Sequence, residues 1–110
     1  MILRFRQINK DTFEAIRDGR KKIETRAATE KYKNIEIDEK IKFVCGGESF
    51  IRAVKKVYLF KTITALLKKF RVEQINPNIR SKKELRIMYE SFPGYKEKIK
   101  KFGLTAIELK

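Results

Sequence analysis

Apolar residues open the chain as Ile2-Leu3-Arg4-Phe5, the makings of a short strand, and then the period lengthens. Phe13 and Ile16 set a core-facing stripe on a helix over about residues 11–18. Asp11-Thr12-Phe13-Glu14 has the form of a capping box at its start, and Gly19 stands where a left-handed residue ends a helix. Beyond Gly19 the period becomes two: Ile23, Thr25 and Ala27 share one face, and Lys22, Glu24, Arg26 and Ala28 the other, which predicts a strand over about 21–28. Ile41, Phe43 and Cys45 alternate with Lys40, Lys42 and Val44 in a second strand. Gly46-Gly47 then predicts a hairpin into a partner strand at about 49–60, because tight hairpin turns need positive φ.

That partner is apolar on both faces and its alternation slips at Lys55-Lys56, the mark of a bulge in a closed or strongly bent sheet. Ile63, Leu66, Leu67 and Phe70 predict a helix over 62–70. Ser81-Lys82-Lys83-Glu84 is a second capping box, opening a helix to about 91 whose core face carries Leu85, Met88, Tyr89 and Phe92. Pro93-Gly94 breaks it, a charged segment Lys-Glu-Lys-Ile-Lys-Lys follows, and residues 104–109 read as a closing strand. The predicted order is β-α-β-β-β-α-α-β, an α+β domain, and 110 residues are enough for one domain over 1–110 with a real core.

Charge adds what the pattern does not show. Lys and Arg number 28 against 14 Asp and Glu, a net +14. Residues 1–49 hold 12 basic and 9 acidic side chains, whereas residues 50–110 hold 16 and 5, so the excess is concentrated in the second half. A field of that size draws polyanions, of which nucleic acid is the commonest that a soluble protein meets, and an anionic membrane surface is the rival. The group expected to meet phosphates is Arg52, Lys55 and Lys56, then Lys61, Lys68, Lys69 and Arg71, with Arg80, Lys82 and Lys83 beyond. Tyr58, Tyr89, Tyr95 and Phe60 are the candidates to stack on unpaired bases.

Absences narrow the chemistry. There is no His and only Cys45, so Ser-His-Asp and Cys-His catalysis, Cys/His zinc sites and an internal disulfide are all out of reach. Cys45 lies at an apolar position and reads as a small buried hydrophobe. No cofactor and no metal are expected. No run of 18 apolar residues exists and the first residues lack an apolar leader core, so the expectation is a cytoplasmic monomer with no membrane partner. Residues 61–70 fit a membrane-surface helix only loosely. Abundant Lys, Glu and Ile match the composition of heat-adapted proteins.

One segment gathers chemistry. In Gly19-Arg20-Lys21-Lys22-Ile23-Glu24-Thr25-Arg26, Glu24 and Arg26 are two apart and project from one face, close enough to pair. Lys21 has the other parity but sits beside a turn that can swing it into the same space. Gly19-x-Lys21-x-x-Glu24-x-Arg26 resembles the G-x-K-x-x-E-x-R signature of ASCH domains, a branch of the PUA-like superfamily. The likeness extends over nearly the whole chain: Phe13, Ile16 and Gly19 before the motif, the run Ile35 to Phe43, Val54 to Phe60, Asn76-Pro77, and Phe102 to Leu109. Asp38-Glu39 departs from it, where similar chains usually have Gly-Asp in a turn.

The resemblance implies a small mixed β-barrel flanked by helices, with the motif residues lining a basic cleft that binds RNA. In that reading Lys21 and Arg26 supply donors, Glu24 holds Arg26 or accepts from a base edge, and Arg52, Lys55, Lys56, Tyr58, Arg80 and Tyr89 extend the RNA contact. The alternative implied by the same resemblance is a small amidohydrolase that removes the acetyl group of 4-acetylcytidine with a Lys, a Thr and a Glu. Lys21, Glu24 and Glu73 are the corresponding candidates here. Glu24 replaces the Thr, and Thr25 beside it points to the opposite face, so that chemistry lacks its hydroxyl.

Overall fold

Alternation becomes strand at β1 (Ile2–Phe5), β2 (Ile23–Ala27), β3 (Lys40–Cys45), β4 (Glu48–Phe60) and β5 (Leu104–Leu109), in a computed structural model that describes residues 1–110. The helices are α1 (Lys10–Arg17), α2 (Glu30–Lys33), α3 (Ile63–Lys69), α4 (Val72–Ile75), α5 (Lys82–Ser91) and α6 (Tyr95–Phe102). The strands form one mixed sheet in the order β1-β3-β4-β5-β2. β1 runs parallel to β3, and every other neighbouring pair is antiparallel. The sheet curls into a half-barrel. It does not close: β1 and β2 are its two edges and do not pair with each other.

The hitch at Lys55-Lys56 is the device that bends it. β4 pairs with β3 up to Ala53 and with β5 from Val54 onward, and the register skips between Val54 and Lys56. One long strand thereby belongs to both halves of the curl, as bulges allow. At the hairpin, Cys45 faces Glu48 across Gly46-Gly47, and Gly46 takes φ +59. Asp38 takes φ +69, the left-handed value that explains why a glycine suits that turn; aspartate is one of the few residues that tolerates it.

Two clusters fill the two sides. Leu3, Phe13, Ile16, Ile41 and Phe43 pack beneath α1, with Phe50 stacked on Phe43 at 5.0 Å between centroids. Leu66, Phe70, Leu85, Tyr89, Ile99 and Leu104 pack beneath the later helices. Cys45 is buried and unpaired with any other cysteine.

Several expectations need correction. The predicted order omits α2, α4, α6 and a 3₁₀ turn at Gln7–Asn9. The charged segment Lys96–Lys101, to which the sequence pattern assigns no element, is the body of α6: its single interior apolar residue, Ile99, is buried, while Tyr95 and Phe102 flank it. α2 and α4 have four residues each, too few to show a period. Asp11 does not cap α1. The 3₁₀ turn runs into the helix, so the Lys10 amide already donates to the Gln7 carbonyl, and the Asp11 carboxylate accepts from the adjacent Thr12 amide instead. Ser81 caps α5 by accepting from the Glu84 amide, but Glu84 returns its carboxylate to the Arg80 amide rather than to Ser81.

Candidate functional site

The open seam between β1 and β2 leaves both strands with backbone groups that no neighbouring strand satisfies, and the site grows from that deficit. On the β5 side, the Lys22 carbonyl accepts from the Leu109 amide and the Ala28 amide donates to the Gly103 carbonyl. By strand parity Glu24 and Arg26 also bond toward β5, so Ile23, Thr25 and Ala27 turn their amides and carbonyls to the seam. Side chains take over there. The Lys21 ammonium donates to the Ile23 carbonyl, the Glu24 Oε1 accepts from the Thr25 amide at 2.9 Å, and the Tyr95 hydroxyl accepts from the Ala27 amide at 3.1 Å.

Lys21 reaches this position because Gly19, at φ +85, ends α1 with a turn that lets the Lys21 amide fold back onto the Ala15 carbonyl at 2.9 Å. Its ammonium also donates to the Ile75 carbonyl, one of the orphan carbonyls at the end of α4, and lies 3.6 Å from Glu24 Oε1. Two carbonyls and one carboxylate thus surround the ammonium. Glu24 Oε2 in turn accepts from Arg26 Nη2 at 3.4 Å. Lys21 is 3% and Glu24 6% exposed, so two formal charges are held away from water. The Arg26 side chain keeps 21% exposure, with its guanidinium 5.3 Å from the Phe5 ring and 5.9 Å from the Tyr32 ring. That contact from β2 to β1 bridges the seam.

Electrostatics follow from this enclosure. Burial alone would raise the Glu24 pKa, but the charges of Lys21 and Arg26 and the Thr25 amide outweigh it and hold the carboxyl below the usual range. Burial pulls the Lys21 amine below that of a free lysine, against the opposing pull of Glu24. Burial also raises the Tyr89 and Tyr95 phenols, so both stay neutral.

Around this trio is a cleft of about 550 Å³. One wall is β1 and the turn after it, with Arg4, Phe5, Arg6 and Ile8. The other comes from the helices: Ile75 at the end of α4 with Asn76, Asn78 and Ile79 after it, Met88 and Tyr89 of α5, and Tyr95 and Lys98 of α6. Tyr89 and Tyr95 lie parallel with centroids 6.5 Å apart, and Phe92 meets Tyr95 edge-on at 5.4 Å. The Tyr89 hydroxyl shares a hydrogen bond with Thr25 Oγ1.

The cleft therefore brings together Lys21, Glu24, Arg26, Tyr89 and Tyr95. The other candidates stand elsewhere. Glu73 is exposed and paired with Arg71 at 3.4 Å, outside the cleft, so it is not placed to exchange a proton with Lys21. Arg52 donates to the Arg17 carbonyl and lies over Phe50. Lys55 is 3.6 Å from Glu108, and Lys56 and Lys69 flank the Tyr58 ring. Tyr58 donates to Glu108 at 3.1 Å and packs edge-on against Phe70, with Phe60 stacked beside it. Arg80 borders a separate hollow. Lys21 donates to the Ile23 and Ile75 carbonyls and pairs with Glu24 at 3.6 Å, so it braces the floor of the cleft that it lines.

Sequence reasoning missed Arg4, Phe5, Arg6 and Lys98, and it set Thr25 on the opposite face, whereas Thr25 lines the cleft beside Glu24 and its hydroxyl meets Tyr89. No local signal marks the first three, because only the sheet order, with β1 and β2 at opposite edges of a curl, carries them to the motif.

No family model and no curated protein matches the chain. Two solved structures are similar over its whole length. The hypothetical protein PH0355 is 28% identical with a TM-score of 0.80, covering 100% of this chain and 98% of that one. Protein PF0455 from Pyrococcus furiosus is 27% identical with a TM-score of 0.75, covering 100% of this chain and 96% of that one. Both neighbours come from thermophilic archaea.

Proposed function

We propose that the chain is an RNA-binding module of ASCH type, its curled sheet a PUA-like barrel, and that the seam cleft takes one unpaired nucleotide of a single strand. The observation that carries this is Arg26: a guanidinium fixed by a buried carboxylate, faced by aromatic rings, and still open to the cleft. A planar cation of that kind suits a phosphate or the face of a base. Arg4, Arg6 and Lys98 add positive charge at the rim, Tyr95 and Phe92 offer ring surface, and the volume falls in the range of small-ligand clefts. The motif likeness supports the same reading.

Fluorescence anisotropy with a labelled single-stranded RNA tests it. Arg26→Gln is expected to weaken binding by about tenfold or more, a loss on the order of that from removing one stacked or paired contact, with the circular dichroism spectrum retained. Unchanged affinity in a folded variant rejects the reading.

The amidohydrolase alternative has one observation in its favour, the buried Lys21 amine whose pKa burial lowers. A base needs a free lone pair, whereas this amine is wrapped by three acceptors, and the low pKa of Glu24 makes it a weak base. Release of acetate from 4-acetylcytidine, lost in Lys21→Met, would favour the enzyme.

A further inference from the structure

The second hollow in the surface, of about 390 Å³, lies between the end of α3, the start of α4 and the start of α5. Its lining carries Lys68, Lys69, Arg71, Arg80 and Lys82 against a single acid, Glu73. Glu73 is matched by Arg71, which leaves four cations without a carboxylate partner around one concave surface. Other cations are matched by acids: Lys10 and Arg17 share Glu48, Lys33 meets Glu30, and Lys55 meets Glu108. Concentrated, unneutralised charge in a hollow raises the local potential and favours a polyanion.

Its position gives the direction. The segment from α4 to the first turn of α5 divides the hollow from the seam cleft, and neighbouring residues of it look to opposite sides. Ile79 lines the cleft and Arg80 the hollow; Ile75 lines the cleft and Val72 and Glu73 the hollow. At Ile79-Arg80 the two concavities are lined by successive residues of this segment. A chain whose base enters the cleft has its next phosphates at the hollow.

We infer that the hollow holds the sugar-phosphate backbone of the RNA strand whose unpaired base occupies the seam cleft, so that the two concavities form one continuous footprint. This rests on the reading of the cleft given above and extends it. The ligand is a phosphodiester chain rather than an isolated anion, because four unmatched cations, Lys68 and Lys69 from the end of α3 and Arg80 and Lys82 at the start of α5, call for more than one phosphate.

The test uses two ligands and two proteins. The triple variant Lys68→Ala/Arg80→Ala/Lys82→Ala removes exposed side chains that make no hydrogen bond or ion pair, and circular dichroism checks its fold. Binding of a nucleoside monophosphate reports on the cleft, and binding of a single strand of about twelve nucleotides, titrated with salt, reports on the footprint. The triple variant is expected to hold the monophosphate as the parent does, to bind the longer strand more weakly, and to lower the slope of log K against log salt by about 2, since each phosphate contact contributes about 0.7. A triple variant with the parent's affinity and slope for the longer strand overturns the footprint whatever the cleft does. A parent that ignores the monophosphate while the triple variant still loses slope rejects the cleft reading, and with it the continuity proposed here. Capture of phosphatidylserine vesicles by the parent at the same salt, with no preference for RNA, assigns the hollow to a lipid surface and overturns the proposal.

Discussion

β2 and β4 carry the same kinds of charged residue at strand spacing, yet their fates are opposite. β2 is an edge strand, where charge usually faces water, and its Glu24 is 6% exposed; β4 is an interior strand of the sheet, and the Lys55 side chain is 63% exposed. The difference is in what lies beyond the backbone. The seam edge of β2 is roofed by α4 and α6, so its unpaired amides and carbonyls need partners that water cannot provide, and Lys21, Glu24 and Tyr95 supply them. β4 is paired with one strand at a time along its length, with β3 up to Ala53 and with β5 from Val54 onward, and its charges are left to the surface. A strand's open edge, once covered, turns surface-type residues into structure, and in doing so creates a polar floor for a cleft.

The sharpest way to break the contrast is Glu24→Ala. It leaves the Lys21 ammonium and the Arg26 guanidinium without their shared counter-charge, one of them fully enclosed, and removal of one member of a buried ion pair typically costs about 3–5 kcal/mol. Urea unfolding is expected to show that loss, whereas a fall under 1 kcal/mol would mean that water reaches Lys21. The same network predicts a pH dependence. The Glu24 pKa is lower folded than unfolded, so its contribution is fully present above the unfolded value near about 4.5 and is lost as the pH drops through the folded value. Glu24→Gln is expected to be less stable at neutral pH and to lose less than the parent on acidification below about pH 4, as followed by thermal melts across that range.

Tyr89→Phe is the next step down. It keeps the ring that packs against Leu85 and Ile99 but strands Thr25 Oγ1, a buried hydroxyl, at a cost of about 1–2 kcal/mol. The companion Thr25→Val removes the hydroxyl as well, and in the double variant much of the lost stability is expected to be regained, since replacing both partners leaves nothing unsatisfied. Strict additivity of the two single effects would mean that the hydroxyls do not interact.

Much of this was legible beforehand. The hairpin at Gly46-Gly47, the bulge at Lys55-Lys56, the pairing of Glu24 with Arg26 and the swing of Lys21 all follow from local spacing, because each involves residues within a few positions of one another. The partners that complete the cleft were not legible. Ile75, Tyr89 and Tyr95 meet β2 from more than fifty residues away, and β1 meets it only through the order in which five strands curl. Sequence spacing also cannot find such partners: the Ile75 carbonyl that accepts from Lys21 is supplied by a four-residue helix too short to be seen.

The smallest effect completes the comparison from the other strand. Lys55 is the residue skipped by the register at the bulge, so it has no cross-strand partner and only a screened, solvent-exposed contact with Glu108 at 3.6 Å. Lys56 contributes at most its approach to the Tyr58 ring, at 4.9 Å. Lys55→Ala is expected to change stability by no more than about 0.5 kcal/mol and, because Lys55 belongs to neither concavity, to leave the affinity for single-stranded RNA nearly as it was. A marked loss of RNA binding on Lys55→Ala, measured beside Arg26→Gln, would shift the interface onto the β4 face and make the covered seam a matter of folding alone.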